Sequence, residues 1–274
     1  NNTSLGTSSL AANTTASNNT AVGYGSLNAN TTGPSNTAVG YNAGTAITTG
    51  GYNVAVGRQA LMTTTTVNDN VAVGNNALRL NTTGASNTAI GSSALDANTT
   101  ASNNTAVGHA SLTANTTGHS NTAFGKSALS NNTTGIENHA SGYATLDTSS
   151  TGNYNTAVGA RALQLATTAS NNTAVGNSAL KANTTGSAGT AVGFRAGIAT
   201  TTGIQNTFIG ADSGGNNTTG TLNTFVGADS GYYVTTGAKN TIIGKFNGNQ
   251  GGLDIRTSSN NIVLSDGDGN PRLH

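Results

Sequence analysis

Fifteen glycines recur seventeen residues apart, with no insertion: Gly6, Gly23, Gly40, Gly57, Gly74, Gly91, Gly108, Gly125, Gly142, Gly159, Gly176, Gly193, Gly210, Gly227 and Gly244. A flexible linker has no reason to keep such a count. A stack of structural repeats does, because one extra residue would throw every later side chain out of phase with its neighbour.

The columns around this glycine are as regular as the count. Four residues before it stands Asn in fourteen of fifteen copies, the exception being Gly189. One residue before it the slot is nearly always filled by an apolar residue, as at Val22, Val39, Ile90, Phe124 and Ile243. Four residues after it comes Leu in ten copies, and Gly in the other five. Nine residues after it comes Thr, from Thr15 to Thr236. Seventeen residues are too few for a helical pair, and Asn, Thr and Gly disfavour helices. Val, Thr and Ile favour strands, and in the two NVAVG phrases the apolar residues alternate with Ala, so that Val54 and Val56 share a face. The expected fold is all-β: a β-solenoid with one coil per repeat over residues 1–248, closed by a cap or connector at 249–274. Parallel ladders at ~4.8 Å spacing would make fifteen coils a rod roughly 70 Å long.

The Val and Leu rows are expected to point inward. Two such residues per coil stabilise it by roughly 1.5–3 kcal/mol each, whereas ordering the backbone costs roughly 1–2 kcal/mol per residue. Backbone ladders and stacked Asn amides would have to help, and a lateral partner would help further. Strand alternation puts the residue two before the glycine opposite Val, on the outer face. This row is therefore the expected oligomer seam: Ala21, Ala38, Ala55, Ala72, Ala89, Ala106, Ala123, Ala157, Ala174 and Ala191, then Phe208, Phe225 and Ile242. The alternative is that Ala merely fits a crowded coil.

Composition alone would suggest disorder, since only 7% of residues are charged against a typical ~25%. Two prolines in the whole chain and the periodic apolar residues oppose that reading. A net charge of +1 offers no electrostatic footprint for nucleic acid or for an anionic membrane. No apolar run approaches the ~18 residues of a spanning helix, and no cysteine is present for disulfides or thiolate metal sites. Beginning in mid-phrase at Asn1, the chain is expected to be a piece of something longer.

The phrase VAVGxxAL at 54–61 and the NTAVG repeats generally resemble the head repeats of YadA-like trimeric autotransporter adhesins. The longer NTAVG, AL, NTTG form is also similar to repeats of phage tail fibres, and residues 258–274 resemble the segment that precedes an intramolecular chaperone in such fibres. The resemblance covers nearly the whole chain. It implies a left-handed β-roll assembled as a homotrimer, outside the cell, on a virion tail fibre or a bacterial surface. The adhesin coils are shorter, so the cross-section should differ, and no chaperone or self-cleavage chemistry can be assigned here.

No catalytic constellation is expected, and no cofactor. His109, His119, His139 and His274 lack metal-ligand spacing, and the first three fall in variable, turn-like positions. Asp212 and Asp229 stand one period apart and would stack, not face each other as an acid/base pair. SDGDGN at 265–270 has the flavour of a calcium turn without the rest of a calcium loop. The glycines match no phosphate-binding or dinucleotide fingerprint, and the Asn-x-Thr phrases are expected to be ladder and turn residues.

Variation is concentrated just after the motif glycine, which marks an exposed ridge. Tyr24, Tyr41, Arg58, His109, Lys126, Arg161, Phe194 and Arg195 are the candidate receptor contacts there. The alternative is a plainly solvated ridge on a shaft that positions a tip elsewhere. The expected function is a structural and adhesive fibre segment with itself as partner, and a host-surface polysaccharide or protein receptor as target. An ice-binding solenoid using stacked Thr columns from Thr14 onward is the second reading. A polysaccharide-degrading β-helix is the third, and it lacks the paired carboxylates.

Overall fold

The computed structural model describes residues 1–274 and is all-β, with no helix. The repeats form a β-solenoid with a seventeen-residue period. Two compact units divide the chain, Asn1–Glu137 and Asn138–His274. In the first, strands β1 to β8 are Thr3–Leu5, Thr20–Val22, Thr37–Val39, Val54–Val56, Val71–Val73, Thr88–Ile90, Thr105–Val107 and Thr122–Phe124. They pair in parallel and in chain order, each residue beside its equivalent seventeen positions on. In the second, β9 to β15 are His139–Ser141, Thr156–Val158, Thr173–Val175, Thr190–Val192, Thr207–Ile209, Thr224–Val226 and Thr241–Ile243, stacked in the same way. A hairpin of β16 (Asn249–Gln250) and β17 (Leu253–Asp254) follows. β18 (Ile262–Ser265) then rejoins the parallel ladder beside β15, so residues 249–274 contain one further rung. β19 (Pro271–Leu273) runs antiparallel on β18 next to a register shift, a Pro-bearing edge of the kind that discourages further strand addition.

Only three residues per coil are strand; the turns are stacked too. Leu27 N–H donates to Ala43 O (3.0 Å), Thr31 N–H to Thr48 O (2.9 Å), and Asn42 N–H to Tyr24 O (2.8 Å). Most of the coil's backbone is thus satisfied by the copy above or below. The corners need left-handed backbone. Leu27, Leu61 and Leu112 adopt φ of 47°, 49° and 49°, at a cost of order 1–3 kcal/mol for a bulky residue. Their complete burial, worth roughly 1.5–3 kcal/mol each, offsets that strain. The motif glycines cannot be replaced so simply. Gly23 has φ 127°, and a Cβ on it would lie 2.6 Å from Gly40 O of the next coil.

The expectation that Val faces inward and Ala outward is reversed. Ala21, Ala38, Ala55, Ala72, Ala89, Ala106, Ala123, Ala157, Ala174, Ala191, Phe208, Phe225 and Ile242 are all at most 1% exposed within the coils, so none forms a seam. The Val row lies outside, with Val39 at 37% and Phe124 at 58% exposure. The physical reason is room. Leu reaches in from the opposite wall, and the strand can answer only with a methyl group. At Gly44 an added Cβ would lie 3.1 Å from Leu27 Cδ2 and 3.8 Å from Ala38 Cβ. Where the strand instead supplies Phe208 and Phe225, the Leu slots around them hold Gly197, Gly214 and Gly231. A Cβ at Gly214 would meet the Phe208 ring at 2.6 Å, and one at Gly231 would meet Phe225 at 2.4 Å. The two rings lie 5.4 Å apart, centroid to centroid.

Two buried Asn columns tie the coil together. Before the repeat strands, except β12 where Gly189 stands, the Asn side chain accepts the backbone N–H of the next copy and donates across its own coil. Asn36 Oδ1 takes the Asn53 N–H (3.0 Å), and Asn36 Nδ2 donates to Gly50 O (2.8 Å). The expected amide stacking is therefore mostly side chain to backbone. The second column, seven residues after the glycine, is the true amide ladder: Asn98, Asn115 and Asn132 each donate 2.9 Å to the Oδ1 of the copy before. In the second unit Ser149, Ala166, Thr200 and Val234 interrupt this column, and around Thr200 the Asn183 Oδ1, Thr200 Oγ1 and both amide atoms of Asn217 are buried without partners.

Two outcomes follow. Phe208→Ala should cost about 3–5 kcal/mol and Gly214→Leu about 1–3 kcal/mol, while the double variant should cost less than their sum by about 0.5–3 kcal/mol in denaturant melts. Thr200→Asn should restore the amide ladder and raise stability by about 1 kcal/mol per bond regained, read from the same melts.

Candidate functional site

With Ala turned inward, each parallel sheet shows solvent its Thr and Val slots. This outer face is built without charge: no strand from β1 to β15 contains Asp, Glu, Lys or Arg. Along it runs a column of half-exposed or exposed β-branched and aromatic residues. Val39, Ile90 and Phe124 belong to it in the first unit, and Val158, Val175, Val192, Ile209 and Ile243 in the second. Only Ser141 of the ninth copy breaks the apolar column there, and β9 still pairs with β10 in register. His139 lies in this strand and faces outward, not in a turn as its variable surroundings suggest.

The predicted ridge residues are exposed or half-buried, as ridge residues must be. Tyr24, Tyr41, Arg58, His109 and Lys126 occupy the slot just after the motif glycine in the first unit. Tyr24 and Tyr41, 54% and 48% exposed, stack on each other at 5.5 Å with an 11° interplanar angle. In the second unit the slots interlock. Arg161 lies over the Tyr143 ring at 6.0 Å, and Arg195 lies 5.8 Å from the Phe194 centroid and 3.2 Å from Asp212. The structure brings these side chains together as neighbours along the coil axis and converges none of them on a cavity. Asp212 is thereby an ion-pair partner of an exposed Arg.

Two Thr columns follow the second corner. In the column beginning at Thr14, the hydroxyls are tied into the ladder: Thr82 Oγ1 donates to Thr99 O (2.9 Å) and Thr116 Oγ1 to Thr133 O (3.0 Å). The next column, Thr15 to Thr236, is exposed in all fourteen copies, the one row of uniform exposed hydroxyls in each unit. The Asn of the NTT phrases is buried and hydrogen-bonded at Asn30, Asn81, Asn98 and Asn115, which fits the ladder role expected of these phrases.

No three His, Asp or Glu side chains stand together as a metal-binding group. The SDGDGN segment closes on itself. Asp266 accepts the Asn270 and Asp268 backbone N–H groups (2.9 and 3.0 Å) and the Arg272 guanidinium (Nε at 2.9 Å). The Asn270 N–H first, and the Arg272 guanidinium after it, lower its pKa to about 2. Asp254 is also held below the ordinary carboxylate range, first by its side-chain bond from Arg256. Sequence reasoning missed one recess in the second unit, bounded by Tyr232 and Tyr233 on one side and by Lys245 and Gln250 on the other. The adjacent tyrosines were its only sequence signal.

No helix is long and apolar enough to cross a membrane. No protein-family model, curated protein or solved structure matches the chain.

Because the Asp266 pKa is lowered on folding, its charge stabilises the closing turn above the unfolded value near 3.8, and that contribution is lost as pH falls towards 2. In an NMR titration the Asp266 carboxyl should have a midpoint near 2. Asp266→Asn should loosen β19 at neutral pH, seen as faster amide exchange at Arg272 and Leu273.

Proposed function

We propose that this chain is a structural and adhesive fibre segment that associates with copies of itself, as a homotrimer, and is displayed outside the cell on a virion tail fibre or a bacterial surface. The observation that carries the reading is the outer sheet face. It presents an uncharged apolar column with the regular rise of the coils, and a second copy has the same rise. Val, Ile and Phe left in water along a whole face are a liability, whereas against an identical face they would be buried. The trimer number and the extracellular setting come from the resemblance to adhesin heads and tail fibres. In this reading the interface is the Val column, and the ridge after the motif glycine remains at the periphery, open to a host-surface polysaccharide or protein.

The exposed Thr15 to Thr236 column favours a second reading, an ice-binding surface, because identical hydroxyls recur once per coil. Thermal hysteresis at micromolar protein would support it, and a stable trimer without hysteresis would oppose it.

Sedimentation equilibrium should give three times the 26.9 kDa chain mass. Val175→Lys combined with Val192→Lys should lower the mass to that of a single chain with the β-sheet circular dichroism retained. Ala174→Lys, which buries a charge in the coil, should instead unfold the protein or destabilise it by several kcal/mol. A folded wild-type monomer at high concentration would refute the assembly.

A further inference from the structure

We propose that the recess at the end of the second unit, between Tyr232–Tyr233 and the loop that leaves the repeat, binds a single saccharide residue of a surface glycan. This deepens the adhesive reading above and rests on it. The site exists because two regularities stop together. The fourteenth copy places Tyr232 and Tyr233 where earlier copies carry residues such as Asn28–Ala29 and Thr113–Ala114. The chain after Gly244 then departs from the coil into the β16–β17 hairpin, so the tyrosines face a polar loop.

Each wall is fixed. Tyr232 lies against the preceding coil at Gly215, where a Cβ would stand 2.7 Å from the ring and displace it. Tyr233 is pinned by its N–H to Asn247 O (2.7 Å), and its ring meets that of Tyr232 at 5.0 Å and 82°, forming a corner. Gln250 is anchored by Nε2 to Asp268 O (2.7 Å), and Asn247 Oδ1 accepts the Asn249 N–H (3.0 Å). Asp229 and Lys245 complete the lining, and neither takes part in an ion pair.

This set of groups matches a sugar. Aromatic faces attract the polarised C–H edge of a pyranose. A carboxylate with free lone pairs accepts from neighbouring hydroxyls, and an ammonium and amides serve the remaining oxygens or an acidic substituent. The volume is about 270 Å³, just below the ~300 Å³ at which drug-sized sites begin. That is room for one ring of a chain, not for a long stretch of it. The Tyr24–Tyr41 pair offers less, since each ring already uses one face on the other.

The test is saturation-transfer NMR on the full chain with the methyl glycosides of glucose, galactose, N-acetylglucosamine and glucuronic acid. At least one should receive saturation, with an affinity that falls about tenfold or more in Tyr233→Ala and in Asp229→Asn. Tyr24→Ala combined with Tyr41→Ala should leave it unchanged. Tyr233 is 47% exposed, so its removal should spare the fold, and circular dichroism of each variant checks this. Transfer to none of the four, or equal transfer in Tyr233→Ala, overturns the site. Sedimentation of the same samples separates the two ideas: a trimer that binds no glycoside leaves the fibre and removes the pocket, and a monomer that binds through Tyr233 does the reverse.

Discussion

The interior of a seventeen-residue coil has room for only one or two large apolar side chains, and the rest of the molecule answers to that limit. Leu61 and its equivalents fill the space from one wall, so the strand opposite must carry Ala. Ala inward puts Val outward, which leaves an apolar sheet face in water. The same limit explains the exchange at Phe208 and Phe225, whose rings enter from the strand side and force glycine at 197, 214 and 231. Burying one or two large residues per coil cannot by itself offset the entropy of ordering seventeen. The remainder comes from the ladders: strand pairs, stacked corners, and Asn side chains that satisfy backbone groups of the next copy.

Much of this was legible in the sequence. The unbroken count predicted parallel stacking in register, and the pairing of Thr20, Ala21 and Val22 with Thr37, Ala38 and Val39 is what it requires. The Leu row points inward as its apolar periodicity requires, and the residues after the motif glycine are exposed or half-buried, as their variability suggests. The strand's facing is set by volume, where hydrophobicity alone points the other way. Val is the more apolar residue, yet in a narrow coil the smaller one goes inside. The correcting signal was present: the copies that carry Phe in the Ala slot have Gly in the Leu slots beside it, a trade that makes sense only if both slots share one interior.

The recess beside Tyr232 was out of reach for a different reason. Repetition lets one coil speak for all the others, but a pocket formed where repetition ends has no second example. Its far wall comes from a hairpin whose path depends on how residues 245–261 leave and rejoin the ladder, and no column records that. Asp266 is a similar case. Its neighbours suggested a cation, and its hydrogen bonds show a turn closed by Asn270 and Arg272.

The trade between Phe208 and its flanking glycines also sets how such a chain can change in length. Duplicating or deleting a whole Ala–Leu repeat leaves every contact with a neighbour identical in kind, so the gene can gain or lose such units by slippage with little mechanical consequence. Across the aromatic stretch this freedom ends, because Phe208 borrows its space from Gly197 in the copy before and from Gly214 in its own. A cut between them would bring together a rung with a hole and a rung with an excess, and fixed length is therefore expected at that end and drift at the other.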